Sequence, residues 1–164
     1  MMILIKNQQK HRQINRAKIK KIALKILFLL EQPAAELSIL FVGNKKMKHL
    51  NTAFRGIHKA TDVLSFPQLS AEGQEESSKV QKFTSAEAPD LRTSELILGD
   101  IVISVPAAEE QAEMSGRGFY DEIYRLLIHG TMHLLGYSHE KSRYTAAAMR
   151  KKERELLNAV KKMG

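Results

Sequence analysis

A short segment in the first third of the chain, Glu36 to Val42, is apolar over most of its length. A strand with one face in water alternates apolar and polar side chains, so a near-continuous apolar run indicates a strand buried on both faces. Such a strand lies inside a sheet against which helices pack. The segment therefore predicts a fold that combines a sheet with helices.

The remaining segments supply the other strands and helices. Further strands are predicted at residues 2–6, 62–66 and 96–104, the last with Gly99 as a bulge. Apolar side chains at helical spacing predict helices at about 15–30, 45–54, 104–114, 120–135 and 144–163. Asn15 and Ser104 are the predicted N-caps of the first and third of these helices. These elements do not alternate strictly. We therefore predict an α+β fold, a single domain over residues 1–164 with a small mixed four-stranded sheet packed with about five helices.

One segment, residues 68–94, differs from this pattern. It is rich in Ser, Glu, Gln and Ala and has no sustained apolar period. We predict a mobile polar insertion at about 68–94.

Composition excludes several classes of protein and of site. The chain has no cysteine, so disulfides and thiolate metal sites are excluded, and a metal site has to use His, Asp or Glu. No apolar run approaches the ~20 residues that span a bilayer, and no signal peptide is evident. We expect a cytoplasmic protein with no membrane partner.

The net charge of +8 is unevenly distributed. Residues 1–70 carry 13 Lys and Arg against 3 Asp and Glu, and residues 124–164 carry 9 against 3. A basic excess of this kind is typical of proteins that bind nucleic acid, although a solvated basic surface is the alternative. The basic residues of the first predicted helix could follow a nucleic-acid backbone, and they are Arg16, Lys18, Lys20, Lys21 and Lys25.

Three of the six histidines, His129, His133 and His139, lie close together in the sequence. Residues i and i+4 of a helix face the same way, so His129 and His133 can converge on one ion. Gly136 is placed to end the helix with a positive φ, which turns the chain so that His139 can approach the same ion. Three imidazoles with a fourth position open are the ligand set of a catalytic Zn²⁺.

The same spacing occurs in the metzincin proteases, but there a glutamate follows the first histidine and acts as general base. This chain has Gly130 at that position, which argues against a metallopeptidase. The other histidines, His11, His49 and His58, have no partner at ligand spacing. Ordinary surface or core positions are the preferred interpretation for these three.

Three segments together resemble the YbeY family of bacterial rRNA maturation factors. The first is the histidine segment 129–139, HGTMHLLGYSH. The second is 50–56, LNTAFRG, followed by TDVLSFP at 61–67, and the third is LGDIVIS at 98–104. The resemblance covers about residues 36–67 and 96–160, and the segments occur in the family's order.

The resemblance implies an α+β fold, a metal site formed by His129, His133 and His139, and a single-strand-specific endoribonuclease activity. It implies a role in maturation of the 16S rRNA 3′ end and in ribosome quality control, with RNA and the ribosome or its small subunit as partners. The cofactor would be one Zn²⁺ per chain, or another divalent ion. The family's important arginine corresponds to Arg55, whose planar guanidinium matches a phosphate group.

Two features depart from the family pattern. Ser138 stands where the family usually has an aspartate, which removes a carboxylate beside the third histidine, and the insertion at 68–94 is longer than the usual loop. Glu140 is the acid nearest to the cluster, but a solvated side chain is the preferred interpretation. Ser65 could hydrogen-bond phosphate or backbone, and an ordinary strand serine is the alternative. Core packing is preferred over base stacking for Phe66 and Tyr137.

Three functions remain as hypotheses. The favoured one is a metal-dependent endoribonuclease in which His129, His133, His139 and Arg55 form the catalytic site. The second is a non-catalytic RNA-binding factor of ribosome assembly that holds a structural zinc. It is motivated by Gly130 and Ser138, which stand where the peptidase motif has its glutamate and the family its aspartate. The third and weakest is a metallopeptidase.

Overall fold

A computed structural model describes residues 2–32, 34–68, 96–136 and 143–162, and these residues form a four-stranded sheet packed with five helices. In chain order the elements are β1 (Met2–Gln8), α1 (Arg16–Leu29), β2 (Ala35–Val42), α2 (Asn44–Arg55), β3 (Val63–Pro67), β4 (Leu96–Ser104), α3 (Val105–Ser115), α4 (Phe119–Leu134) and α5 (Arg143–Lys161). The predicted α+β fold is confirmed. Apart from Gln68, the described residues do not include the predicted insertion at 68–94.

The sheet has the strand order β1-β2-β4-β3. β1, β2 and β4 are parallel to one another, and β3 pairs antiparallel with β4, so the sheet is mixed as predicted. β2 is an interior strand, and Leu37, Ile39 and Phe41 are at most 1% exposed. The near-continuous apolar run at 36–42 is thus explained by helices on both faces of this strand.

The two faces of the sheet carry separate apolar clusters. The larger cluster combines residues such as Leu37 and Ile101 of the sheet with the inner sides of α1, α4 and α5. The smaller cluster, on the opposite face, combines Val102 and Leu64 of the sheet with Met47 of α2. Consecutive side chains of a strand point to opposite faces, which is why Ile101 and Val102 belong to different clusters.

The helix ends follow the predicted caps closely. The side chain of Asn15 accepts a hydrogen bond from the Lys18 N–H at the start of α1, and that of Ser104 accepts one from the Ala107 N–H at the start of α3. α4 ends just before Gly136, whose φ is +91°. Across the described ranges, no helix is both long and apolar enough to cross a bilayer.

Gly99 forms the predicted bulge in β4. Glu36 of β2 pairs with Ile97 whereas the next residue, Leu37, pairs with Gly99, so β4 contains one extra residue at this point. The φ of Gly99 is +140°, and an added Cβ would lie 2.2 Å from the carbonyl oxygen of Phe66. Any other residue would therefore push β3 away from β4.

Candidate active site

Gly130 brings α4 unusually close to the sheet. An added Cβ at this position would lie 3.1 Å from Ile101 and 3.1 Å from the Ser65 Oγ. The Ser65 hydroxyl donates to the Gly130 carbonyl across a long 3.4 Å. A larger residue at this position would require Ile101 or Ser65 to move, so the packing of α4 on the sheet favours glycine where the peptidases have their glutamate. Ser65, predicted to bind either phosphate or backbone, contacts backbone.

His129 and His133 come together on one side of α4, as their i, i+4 spacing requires. Their Nε2 atoms lie 2.9 Å apart, and their ring centroids are separated by 4.4 Å. Both residues are half-buried, so the pair is protected but remains open to a small ligand. Two nitrogens sharing one tetrahedral metal ion at ~2.1 Å are ~3.4 Å apart. A small rotation of either ring reaches that separation.

The carboxylate of Glu153, on α5, faces the other nitrogen of His129. Its Oε1 lies 2.7 Å from the His129 Nδ1. An ionised carboxylate at this distance accepts the Nδ1–H proton, which leaves the lone pair of the ring on Nε2, the atom that faces His133. The contact thus holds the His129 ring with its Nε2 directed towards His133, the orientation that a metal-ligating histidine needs.

Glu153 was missed by the sequence reasoning, although a signal for it exists. It lies four residues after Met149 and three before Leu156, and both of these are buried in the core. An acidic residue on the apolar face of an amphipathic helix requires a polar partner inside the protein. The sequence alone does not identify that partner, because α4 and α5 meet only through tertiary packing.

The third predicted ligand, His139, lies outside the described residues, as do Tyr137, Ser138 and Glu140. Among the described residues no group of three or more His, Asp, Glu or Cys side chains surrounds a common centre. The paired imidazoles have the donor atoms and the spacing of a partial zinc site, and the positive φ of Gly136 turns the chain directly after the helix. Imidazole nitrogens are donors that zinc and other divalent ions accept, so these two side chains fit such an ion.

A second polar group occupies the first half of the same helix. Glu122 is 1% exposed, and its carboxylate accepts hydrogen bonds from Arg125 and Arg117. Arg125 also donates to Gln111 and lies 3.9 Å from the carboxylate of Asp62. We call these five residues the Glu122 network.

The Glu122 network shifts the proton affinities of its members. Burial by itself raises the pKa of the Glu122 carboxyl, but hydrogen bonds and charges from Arg125 and Arg117 outweigh it and lower the pKa below the ordinary 4.5. The pKa of Arg125 is raised, first by its hydrogen bond to Glu122 and with further contributions from the charges of Asp62 and Glu153. Arg125 therefore links the network electrostatically to the histidine pair.

Arg55 is the last residue of α2 and is exposed. The preceding residue, Phe54, packs edge-to-face against Phe66 of β3 with ring centroids 5.1 Å apart. Phe66 faces α2, whereas its neighbour Ser65 faces α4 on the other side of the strand. Arg55 and the histidine pair thus flank the edge strand β3 from opposite faces, and no contact joins them within the described part of the chain.

Some of the basic residues of α1 lie fully at the surface and others are half-buried. Arg16, Lys20 and Lys21 are exposed. Lys18 and Lys25 are half-buried and lie over the rings of Tyr120 and Phe28 at 4.4 and 5.5 Å. The helix therefore presents cations to solvent, as the charge pattern predicted, but uses two of them for contacts with aromatic rings.

Comparison with known proteins agrees with this architecture. The family model described as Endoribonuclease YbeY matches residues 4–161. The chain belongs to the YbeY family. The predicted resemblance is thereby confirmed, and the chain is an endoribonuclease, a hydrolase whose substrate is RNA.

Two curated YbeY relatives and one solved structure illustrate the match. Endoribonuclease YbeY of Clostridium botulinum strain 657 is 38% identical over 162 residues, covering 96% of this chain and 97% of that protein. The Persephonella marina protein of the same name is 37% identical over 159 residues, covering 97% and 92%. The solution structure of TM1509 from Thermotoga maritima superposes with a TM-score of 0.61 at 25% identity, covering 97% of this chain and 89% of that one.

Proposed function

We propose that this YbeY-family protein is a metal-dependent, single-strand-specific endoribonuclease that acts in maturation of the 16S rRNA 3′ end and in ribosome quality control, in the cytoplasm. Cleavage of RNA follows from the family. The choice of RNA and the role in ribosome maturation are supported by the resemblance of the three sequence segments. The metal dependence is supported by one observation above all, the paired Nε2 atoms of His129 and His133 with Glu153 behind them.

His129, His133 and His139 would hold one Zn²⁺ or another divalent ion. When bound, such an ion stabilises negative charge on a phosphate and makes water acidic enough to act as a nucleophile at neutral pH. Glu153 holds the His129 ring with Nε2 directed at the site. The close packing of Gly130 against Ile101 and Ser65 fixes the helix that carries both imidazoles.

Arg55 would bind a phosphate of the substrate at the edge strand β3. Phosphodiester cleavage spreads negative charge over several oxygen atoms, and a guanidinium fork pairs with two of them at once. Because β3 is an edge strand, an RNA strand lying over this edge reaches α2 on one face and α4 on the other. Exposed Arg55 is then a substrate-positioning group rather than a neighbour of the metal.

The test is cleavage of matched single-stranded and double-stranded RNAs by the full chain before and after EDTA, followed by return of Zn²⁺. The proposal predicts that the single strand is cut, that EDTA stops cutting, and that the metal restores it. Far-ultraviolet circular dichroism recorded on the EDTA-treated protein shows whether the fold persists.

Other outcomes identify the competing functions. If EDTA unfolds the domain and the folded protein binds RNA without cutting it, the non-catalytic assembly factor with a structural zinc is correct. If the treated protein stays folded and cuts RNA at an unchanged rate, the metal dependence is wrong. Hydrolysis of a peptide library without hydrolysis of RNA would favour a metallopeptidase.

A further inference from the structure

The parallel part of the sheet leaves a crevice between β1 and β2, on the opposite side of the sheet from β3. β1 and β2 end at the same edge, at Gln8 and Val42. The chain leaves β1 towards α1 on one face and leaves β2 towards α2 on the other. Diverging connections after neighbouring parallel strands form a crevice, the usual ligand site of open α/β sheets. An open cavity of about 520 Å³ lies at this point.

The lining of this cavity is strongly cationic. Its charged and titratable side chains are Lys10, His11, Lys45, Lys46 and His49. His11 pairs with Glu109 at 2.9 Å, and the Lys46 ammonium donates to the uncharged Gln8 side chain at 2.7 Å. Within the described ranges, Lys10, Lys45 and Lys46 form no ion pair with a carboxylate. Three positive charges therefore share one crevice.

Two of these lysines stand where a helix disfavours cations. Lys45 and Lys46 lie in the first turn of α2, which contains no acidic residue and whose N-cap, Gly43, provides no side-chain hydrogen bond. The partial positive charge of a helix N-terminus repels ammonium groups. A local arrangement that opposes stability in this way is expected at functional sites rather than at random positions. An anion in the cavity removes the conflict.

We propose that this cavity binds phosphate groups of the RNA backbone and is a second substrate contact, separate from the cleavage site. Lysine ammonium groups neutralise phosphates one by one without reading bases. The inference rests on RNA being the substrate, as under the proposed function, but not on the metal. Three strand spacings of ~4.8 Å separate β1 from β3. An RNA strand that contacts both the cavity and β3 therefore has to extend across the width of the sheet.

The test compares two variants with equal loss of charge. The cavity variant carries Lys10→Gln, Lys45→Gln and Lys46→Gln, and the control carries Lys151→Gln, Lys161→Gln and Lys162→Gln, three exposed positions of α5 and the residue after it. Fluorescence anisotropy of a labelled single-stranded RNA is measured in EDTA over a range of salt concentrations. Thermal unfolding shows that both variants are folded.

The cavity variant is expected to bind RNA about tenfold more weakly. The plot of log K against log salt should also become less steep by about 2, since each phosphate contact on a single strand contributes ~0.7 to the steepness. The control variant changes much less. With metal present, the cavity variant raises KM and leaves kcat within twofold. Equal losses in both variants would show an effect of net charge alone and would overturn the inference.

A second experiment distinguishes the RNA backbone from free phosphate as the ligand of the cavity. Amide signals of Gly43, Lys45 and Lys46 are followed by NMR during addition of the RNA and, separately, of inorganic phosphate. The inference predicts shifts with RNA at micromolar concentration and with phosphate only at millimolar concentration. Tight phosphate binding with no effect of the cavity variant on RNA affinity would assign the cavity to a small ligand. Binding of RNA without cleavage would leave the cavity site intact while refuting the proposed nuclease mechanism.

Discussion

The two halves of α4 carry polar groups in contrasting arrangements. In the first half, the buried carboxylate of Glu122 is matched by Arg117 and Arg125, with distances down to 2.6 Å. In the second half, the imidazoles of His129 and His133 present their Nε2 atoms to each other, and the carboxylate that is present lies behind the pair. The first half has its charges neutralised from within the protein. The second half brings two imidazole Nε2 atoms within 2.9 Å of each other.

This contrast separates structural from functional polar groups. A buried charge whose partners complete its hydrogen bonds fixes the packing of α4 against its neighbours. Two like nitrogens facing each other contribute little to folding, because one imidazole can give the other only a single hydrogen bond. The metal ion proposed above would give both nitrogens a common partner. Substitutions in the two halves should therefore change different observables.

The largest effect is expected for His133→Ala. It removes one of two facing ligand atoms, so RNA cleavage should fall at least a hundredfold while the melting temperature of the metal-free protein stays within a few degrees. His58→Ala, at an exposed position, is the matched control and should cleave normally. Cleavage by His133→Ala at more than a tenth of the normal rate would remove the functional half of the comparison.

Glu122→Gln should act on stability instead. It loses the charge-assisted hydrogen bonds to two arginines in a buried place, which is expected to lower the free energy of unfolding by about 2 kcal/mol. Urea denaturation at neutral pH measures this decrease in the free energy of unfolding. A change below roughly 0.5 kcal/mol, the scale of an ordinary surface substitution, would contradict a structural role for the network.

The pH dependence of the same variant checks the cause. Because the pKa of Glu122 is lowered in the folded state, its stabilisation is present above the unfolded value of 4.5 and is lost as pH falls through the lower folded value. The unfolding free energy of the normal protein should therefore decline below pH 4.5. The decline in Glu122→Gln should be shallower, and equal slopes would assign the acid sensitivity to other groups.

Glu153→Gln tests the link between α5 and the histidine pair. The amide oxygen still accepts the Nδ1–H but without charge, so zinc affinity is expected to fall about tenfold, with a larger loss for Glu153→Ala. Competition with a chromophoric chelator measures this independently of RNA cleavage. Glu155→Gln on the exposed side of α5 is the control. If the normal protein binds zinc and Glu153→Gln binds it equally well, the carboxylate does not orient the ligand.

The smallest effect is expected for Tyr124→Phe. Burial, with smaller contributions from Asp121 and Tyr120, raises the pKa of Tyr124 to about 12. Its buried hydroxyl has no hydrogen-bond partner among the described residues. Removing that oxygen should stabilise the fold by up to about 1 kcal/mol in urea denaturation. A loss of stability would mean that the hydroxyl has a partner.

Local patterns were sufficient to predict the elements. A near-continuous apolar run predicts the interior strand at 36–42, and the caps Asn15 and Ser104 begin their helices as predicted. The predicted ends of the strands were less accurate. β1 continues to Gln8 rather than ending near residue 6, because it pairs with β2 up to Val42 and this pairing is not visible in a polar sequence.

Local sequence patterns do not predict contacts between elements that are far apart in the chain. The spacing of His129 and His133 predicts their proximity, since one helix carries both. The approach of Glu153 from α5, and the cavity shared by Lys10 and Lys45, depend on how elements far apart in the chain pack together. The lone histidines His11 and His49 illustrate this limit, because both line that cavity although nothing in their spacing connects them.

X-ray absorption spectroscopy of the zinc-loaded protein tests the central claim most directly, because it counts the ligands of the metal. The account predicts one zinc per chain with three imidazole nitrogens at ~2.1 Å and one further oxygen ligand. Loss of one imidazole in each of His129→Ala, His133→Ala and His139→Ala would assign the three positions. A protein that retains no zinc, or a spectrum with fewer than two imidazoles, would contradict a metal centre on this helix.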